Sequence, residues 1–158
     1  MNEELTIRYV SATNKDVGAI RGLVFGVLEE YGLVPEPNGT DTDIADVEVN
    51  YIGRGGLFEL LLDQENKIVG TVGLFPMDSG VVELRKMYFV PGIRGKGLGK
   101  RTLSRMIGAA KELGFKKIYL ETASPLVEAI GLYKSFGFSP TCDIHTERCD
   151  QAYFLPLD

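Results

Sequence analysis

The chain has 158 residues, of which 25% are charged and 44% hydrophobic, and its formal net charge is −5. This balance is typical of a globular protein, and the length fits a single domain over residues 1–158. No apolar run approaches the roughly 18 residues of a membrane span, so we expect no membrane partner. The negative charge argues against nucleic acid as the main partner, because duplex binding draws on many phosphate contacts.

The N-terminus reads Met-Asn-Glu-Glu-Leu and lacks the basic start of a secretory or transit peptide, so we expect a cytoplasmic protein. Two cysteines in such a protein are expected to stay reduced. Cys142, His145 and Cys149 supply three candidate zinc ligands. Because structural zinc sites usually have four ligands and this spacing is not a standard one, we predict no metal.

The first part of the chain starts with a strand and continues with helices. Alternating apolar residues predict a strand over residues 5–10. Apolar residues at helical spacing predict a helix over residues 17–31, which Gly32 ends, and residues 35–42 follow as a loop. Residues 43–51 are a second helix candidate, with Ile44, Val47 and Tyr51 on one side.

From residue 57 onward the pattern is that of strands joined by short turns. Residues 57–62, 68–77 and 81–90 predict an antiparallel meander of three strands. The remaining predicted elements are a helix over residues 98–113, a strand over 117–122, a helix with Pro125 in its first turn that Gly137 ends, and closing strands over 138–143 and 153–157.

This order predicts an α/β fold of the α+β type, with a mixed sheet. One βαβ crossover joins the strand at 81–90 to the strand at 117–122, so these two strands should be parallel neighbours. The strands before them should be antiparallel.

The most informative segment follows Pro91 and reads Gly-Ile-Arg-Gly-Lys-Gly-Leu-Gly-Lys, residues 92–100. Where such a turn opens a helix, the first four backbone N–H groups lack intrahelical partners and the helix dipole adds positive potential. The glycines let a phosphate approach the backbone closely. Arg94, Lys96 and Lys100 raise the local potential further. The segment therefore predicts a diphosphate site.

Two common phosphate motifs do not fit. A P-loop needs a lysine directly after its second glycine, but Leu98 follows Gly97. A dinucleotide fingerprint that starts at Gly95 has Lys100 in place of its third glycine, although Glu121 imitates the ribose-binding acid. Three hairpin strands also precede the segment, where a dinucleotide fold has repeated βαβ units.

A third motif does fit. The pattern Arg94-x-x-Gly97-x-Gly99, after the strand end Met-Tyr-Phe-Val-Pro, resembles the acyl-CoA motif of the GNAT superfamily of N-acetyltransferases. Residues 129–138, Ala-Ile-x-Leu-Tyr-x-x-x-Gly-Phe, resemble the later helix-and-strand signature of the same superfamily. One departure is Leu126, which stands where many members have an asparagine that contacts the cofactor.

The resemblance implies a GNAT-like acyl-CoA N-acyltransferase fold, with a splayed parallel strand pair and helices on both faces of the sheet. It implies acetyl-CoA as co-substrate, with pantetheine held by the backbones of Met87, Tyr88 and Phe89. The diphosphate would be held by the following residues: Arg94, Gly95, Lys96, Gly97, Leu98, Gly99 and Lys100.

The resemblance also implies catalytic roles. Tyr133 matches the family's acid, which protonates the departing thiolate, although packing in an apolar helical stripe is the alternative. Glu83 matches a glutamate that removes the amine proton in some members. Alternation along the strand places Glu83 and Arg85 on one face, so a surface ion pair is its alternative, and Glu121 is a second candidate base.

We therefore expect an N-acetyltransferase that moves an acetyl group to a primary amine of a small molecule or peptide by direct attack in a ternary complex. The alternative function is a catalytically silent acyl-CoA sensor. Homodimers are common among relatives, so a homodimer is a candidate assembly. The acceptor region, about residues 25–55 and 140–152, has four acidic residues that favour a cationic amine or form a solvated face: Asp41, Asp43, Asp46 and Glu48.

Overall fold

The computed structural model describes residues 6–158. The strands are β1 (Arg8–Ser11), β2 (Leu57–Leu62), β3 (Ile68–Pro76), β4 (Val81–Phe89), β5 (Lys117–Thr122), β6 (Ser139–Thr141) and β7 (Gln151–Pro156). The α-helices are α1 (Val17–Glu30), α2 (Val47–Asn50), α3 (Leu98–Glu112) and α4 (Val127–Ser135).

The strands form one seven-stranded sheet in the order β1-β2-β3-β4-β5-β7-β6. β1 to β4 pair antiparallel, β4 and β5 pair parallel, and β5, β7 and β6 pair antiparallel. The predicted mixed sheet, its meander and its single parallel pair are confirmed. The first strand starts at Arg8, three residues later than predicted, and Leu5 lies outside the described residues.

Helices cover both faces of the sheet. On one face Ile20, Val24 and Leu28 of α1 pack with Val47 of α2 against Phe58 of β2. On the other face apolar side chains of α3 and α4 pack against β3, β4 and β5. Leu103, Met106, Ile130 and Tyr133 of these helices are buried there beside Ile118 of β5. Strand alternation divides the residues between these two cores, since successive side chains point to opposite faces.

β4 and β5 separate soon after they start. Their pairing covers three residue pairs, from Val81 with Lys117 to Glu83 with Tyr119. Beyond Glu83, β4 stays paired with β3 while β5 stays paired with β7. The backbone edge of residues 84–89 that faces away from β3 therefore borders a gap. Backbone groups on this edge have no neighbouring strand to pair with, so an extended ligand could pair with them as a strand does.

A β-bulge at Lys86 changes which side chains of β4 face the gap. Two residues, Lys86 and Met87, stand opposite the single residue Val72 of β3, and Lys86 has a positive φ of 55°. The hydroxyl of Thr71 donates to the Lys86 carbonyl at 2.7 Å, which fixes the bulge. Because the extra residue shifts the alternation by one, Met87 packs on the same face as Leu84.

Two helix predictions were wrong in detail. Residues 43–51 do not form one helix, because a 3₁₀ segment at Thr40–Ala45 precedes the single turn α2, whose N-cap is Asp46. The Asp46 carboxylate accepts from the Val49 N–H at 2.9 Å, so this aspartate starts a new turn. Pro125 lies two residues before α4 rather than in its first turn.

The acidic segment before α2 is not a solvated face. The carboxylate of Asp41 is fully buried and accepts two hydrogen bonds from the Arg148 guanidinium, both at 2.7 Å. The Lys86 ammonium lies 3.0 Å from Asp41 and 3.2 Å from Asp43, and Asp43 also accepts a hydrogen bond from the Tyr51 hydroxyl. These buried ion pairs join the loop after α1 to β4 and to the β6–β7 loop.

The ion pairs of Asp41 predict a specific acid dependence of stability. Arg148 and Lys86 hold the pKa of Asp41 well below its usual range, although burial opposes them. A depressed pKa adds stability above the unfolded carboxyl pKa, and that stability is lost as pH falls from about 5. Asp41→Asn leaves two buried cations undercompensated, so we expect a loss of roughly 3–5 kcal/mol at pH 7.

Urea unfolding at pH 7 and at about pH 3, which lies below the unfolded carboxyl pKa and above the depressed folded one, measures this. The wild type should lose more stability on acidification than Asp41→Asn. As a control, Glu112→Gln removes an exposed carboxylate at the end of α3 and should change stability by less than about 0.5 kcal/mol. An Asp41→Asn protein with near-wild-type stability at pH 7, or with an unchanged acid dependence, would contradict the role of this pair.

Candidate active site

The glycine-rich turn after β4 leads directly into α3. Gly97 is the N-cap of α3 with a φ of 78°, and it gives the helix no capping side chain. The first turn closes with a hydrogen bond from the Arg101 N–H to the Gly97 carbonyl at 3.1 Å. The amides of Leu98, Gly99 and Lys100 therefore lie at a helix N-terminus that needs an external acceptor, as an anion site does.

The basic side chains of this turn differ in their surroundings. Lys96 and Lys100 are exposed. The Arg94 guanidinium instead bonds within the protein, since its Nε and Nη2 donate to the Phe89 carbonyl at 3.0 and 2.7 Å and it pairs with the Glu30 carboxylate. Arg94 thus ties the turn to the end of α1, and its contact with a diphosphate stays a prediction.

A cavity of about 160 Å³ connects this turn to the gap between β4 and β5. Met87, Tyr88 and Phe89 form one wall, and Leu126 to Tyr133 of α4 and the turn before it form another. Arg94, Gly95, Gly97, Leu98 and Gly99 line the same cavity, so five of the seven predicted diphosphate residues share one space with the predicted pantetheine residues, while Lys96 and Lys100 do not line it. Leu126 lines it with an apolar side chain.

Tyr133 is buried at the junction of two cavities. It lines the first cavity and also a second cavity of about 220 Å³ on the other side of the gap. Met87 lines both as well. Burial, with a smaller contribution from Tyr88, raises the pKa of the Tyr133 phenol well above its usual range. At neutral pH its hydroxyl is therefore a protonated donor.

The second cavity contains both candidate bases. Glu83 and Glu121 line it from β4 and β5, together with Arg85, Lys86 and Arg148. Glu83 and Arg85 are paired, since Nε and Nη2 of Arg85 lie 2.7 and 2.6 Å from one oxygen of Glu83, but Glu83 is buried and the pair is not the surface pair that strand alternation suggested. Burial nevertheless raises the pKa of Glu83, against the opposing effect of Arg85.

Glu121 organises the loop between β6 and β7. One carboxylate oxygen, Oε1, accepts from the backbone N–H groups of His145 and Thr146, both at 2.8 Å. These two bonds hold the loop against the sheet, beside Arg148 and Cys149. Glu121 therefore has a structural role through this oxygen.

Sequence reasoning missed two charged residues of this region. Arg148 carries no motif, and only the structure shows that it spans from the β6–β7 loop to Asp41. Glu30 ends α1 as an ordinary acidic residue, far in sequence from its partner Arg94. Within the described part of the chain, no group of three or more His, Cys, Asp or Glu residues is arranged to hold a metal ion, and no helix is long and apolar enough to cross a membrane.

Comparison with known proteins agrees with this geometry. The family model "Acetyltransferase (GNAT) family" matches residues 27–138. The chain is 38% identical over 131 residues to the uncharacterized N-acetyltransferase YjgM of Escherichia coli K12, which covers 80% of this chain and 78% of that protein.

Solved structures of acetyltransferases have the same fold. A GNAT-family acetyltransferase of Staphylococcus aureus Mu50 superposes with a TM-score of 0.90 at 24% identity, over 97% of this chain and all of that chain. The spermidine N-acetyltransferase of Vibrio cholerae, solved in complex with CoA and spermine, has a TM-score of 0.70 at 20% identity, over 98% of this chain and 96% of that chain. From its two motifs, its sheet and these matches, the chain belongs to the GNAT acetyltransferase family.

Proposed function

We propose that this protein transfers the acetyl group of acetyl-CoA to a primary amine by direct attack in a ternary complex. The observation that carries the proposal is the meeting of two cavities at Tyr133 and Met87. One cavity runs to the helix N-terminus that suits a diphosphate. The other contains carboxylates that suit an amine. A thioester at the junction would face both an acid and a base.

The first cavity accounts for the binding of acetyl-CoA. Amides at the start of α3, with Lys96 and Lys100 beside them, would hold the diphosphate. The unpaired edge of β4 beyond Glu83 would hydrogen-bond the amides of pantetheine as an added strand does. The Phe89 carbonyl already accepts from Arg94, so the backbones of Met87 and Tyr88 are the better candidates on this strand.

The junction accounts for the chemistry. The amine nitrogen forms a bond to the thioester carbon, the carbon–sulfur bond breaks, and the amine loses one proton while the thiolate gains one. A main-chain N–H of β4 would polarise the carbonyl, as in an oxyanion hole. Glu83 would accept the proton of the amine, directly or through water, and Tyr133 would donate one to the sulfur.

Membership of the family supports acetyl transfer, and the position of Tyr133 at the junction of the two cavities supports its role. Nothing in the geometry favours the sensor alternative. Release of free CoA thiol from acetyl-CoA in the presence of an amine separates the two functions, because a sensor binds CoA and releases none.

Replacing Tyr133 by phenylalanine tests the acid. The change removes one hydroxyl from a packed ring, so acetyl-CoA should still bind with near-wild-type affinity. We expect kcat to fall roughly 10²-fold or more, because general acid catalysis contributes about 10²–10⁴-fold. Thiol release gives kcat and titration calorimetry gives the affinity.

Tyr9→Phe is the matched control, since its hydroxyl bonds to Thr102 at 2.8 Å between β1 and α3. This variant should keep the wild-type kcat. A Tyr133→Phe protein that releases thiol at the wild-type rate would show that the ring only packs.

Replacing Glu83 by glutamine tests the base through its pH dependence. Glu83 must be ionised to accept a proton, and burial raises its pKa, so activity should be lost as pH falls through that raised pKa. A plot of log kcat against pH should therefore gain one unit of slope on the acid side in the wild type, and Glu83→Gln should lack it.

Glu59→Gln, which removes the partner of Arg105 outside the cavity, should keep the wild-type profile. If Glu83→Gln keeps the extra slope and Glu121→Gln loses it, Glu121 is the base instead.

A further inference from the structure

We infer that the acceptor is an α-amino acid, and that Arg85 binds its carboxylate while Glu83 receives its amine. This inference rests on the proposed function and names its acceptor class. The second cavity is lined by both cations and carboxylates.

The cavity wall carries three cations and two carboxylates. The cations are Arg85, Lys86 and Arg148, and the carboxylates are Glu83 and Glu121. Asp41 and Asp43, which compensate Lys86 and Arg148, do not line this cavity, and their side chains are only 0% and 5% exposed. The acceptor therefore meets both signs of charge, which suits a zwitterion.

Among the three cations, Arg85 is the least engaged by the buried aspartates, and its Nη1 has no hydrogen-bond partner within residues 6–158. Both nitrogens of the Arg148 fork donate to Asp41, and the Lys86 ammonium lies between two aspartates. In Arg85, Nε and Nη2 both bond to one oxygen of Glu83. Its Nη1 is 3.9 Å from the nearest oxygen of Asp43, which is too far for a hydrogen bond. At 27% exposure, Arg85 is also the most accessible of the three side chains, and it borders a third cavity beside Phe75 as well as the second cavity.

The Arg85 guanidinium is held in place before any ligand arrives. Its central carbon lies 3.7 Å from the centre of the Phe75 ring. Tyr51 packs edge-on against the same ring, with 5.5 Å between the ring centres. A guanidinium fixed in this way loses little freedom when it binds a carboxylate.

Many amines also carry a carboxylate, and the short distance between Glu83 and Arg85 favours those in which both groups are on the same carbon, the α-amino acids. The two side chains touch each other, so they reach an amine and a carboxylate that are attached to the same carbon. A polyamine would place its additional cations against Arg85, Lys86 and Arg148, which like-charge repulsion disfavours. The cavity is also smaller than the roughly 300–1,000 Å³ of pockets for drug-sized ligands, so the side chain of the acceptor should be short or point outward.

The test uses pairs of acceptors that differ only in the carboxylate, at saturating acetyl-CoA. Each of the common L-amino acids is assayed by thiol release. Those that react are compared with their decarboxylated amines, such as phenylalanine with 2-phenylethylamine and leucine with 3-methylbutylamine, and spermidine represents polycations. We expect kcat/KM to favour the amino acid by at least about tenfold, because the amine alone leaves Arg85 without its partner.

Variants then assign the preference to Arg85. Arg85→Gln should raise KM for the amino acid and bring the ratio between each pair close to one, whereas Arg85→Lys should keep part of it. Arg54→Gln is the matched control, because Arg54 stacks on the same Phe75 ring at 4.3 Å but does not line the second cavity. It should keep the wild-type ratio, and circular dichroism verifies that each variant is folded.

The outcomes separate the inference from the function beneath it. Equal or better use of the decarboxylated amines or of spermidine would refute the inference and leave the proposed function standing. A protein that binds acetyl-CoA and uses no amino acid would also refute it. A protein that does not bind acetyl-CoA would refute the proposed function, and the inference with it.

Discussion

The separation of β4 from β5 is the constraint on which the rest of the site depends. The two strands pair at three positions and then part, because β4 follows β3 and β5 follows β7. A sheet that stayed paired would seal its two faces from each other. The gap instead lets Tyr133, on a helix of one face, line a cavity that opens on the other. It also leaves the β4 backbone available to an extended ligand, so one topological feature accounts for both cavities.

A buried group of charges holds the far side of this gap in place. Lys86 stands at the bulge of β4 with a positive φ, and it is paired with two aspartates from the loop after α1. Arg148, from the β6–β7 loop, binds one of these two, Asp41. Segments distant in sequence are thereby fixed around the second cavity by ion pairs, which hold only in a defined geometry. The buried aspartates neutralise Lys86 and Arg148 from behind the cavity wall. Arg85 and the two glutamates are therefore the charges that would select a ligand for this cavity.

The sequence predicted the parts of the molecule that depend on local chemistry. The meander follows from alternation and turn residues, and the turn before α3 follows from its closely spaced glycines and the apolar helical pattern after them. The Glu83–Arg85 pair follows from two-residue spacing.

Contacts between distant segments were not predictable in this way. Asp41 and Asp43 looked like a solvated acidic face because their partners lie far along the chain, and the engagement of Arg94 by Glu30 was missed for the same reason. The bulge at Lys86 was also not predictable, because its positive φ falls on a lysine and not on a glycine.

Amide hydrogen exchange with and without acetyl-CoA tests most directly the claim that backbone groups of β4 and of the glycine-rich turn bind the co-substrate. Acetyl-CoA should slow exchange at Met87 and Tyr88 and at the amides from Gly95 to Lys100, while β1 and β6 at the sheet edges should keep their rates. Unchanged exchange over these residues at a saturating concentration of acetyl-CoA, or protection located elsewhere in the fold, would contradict it.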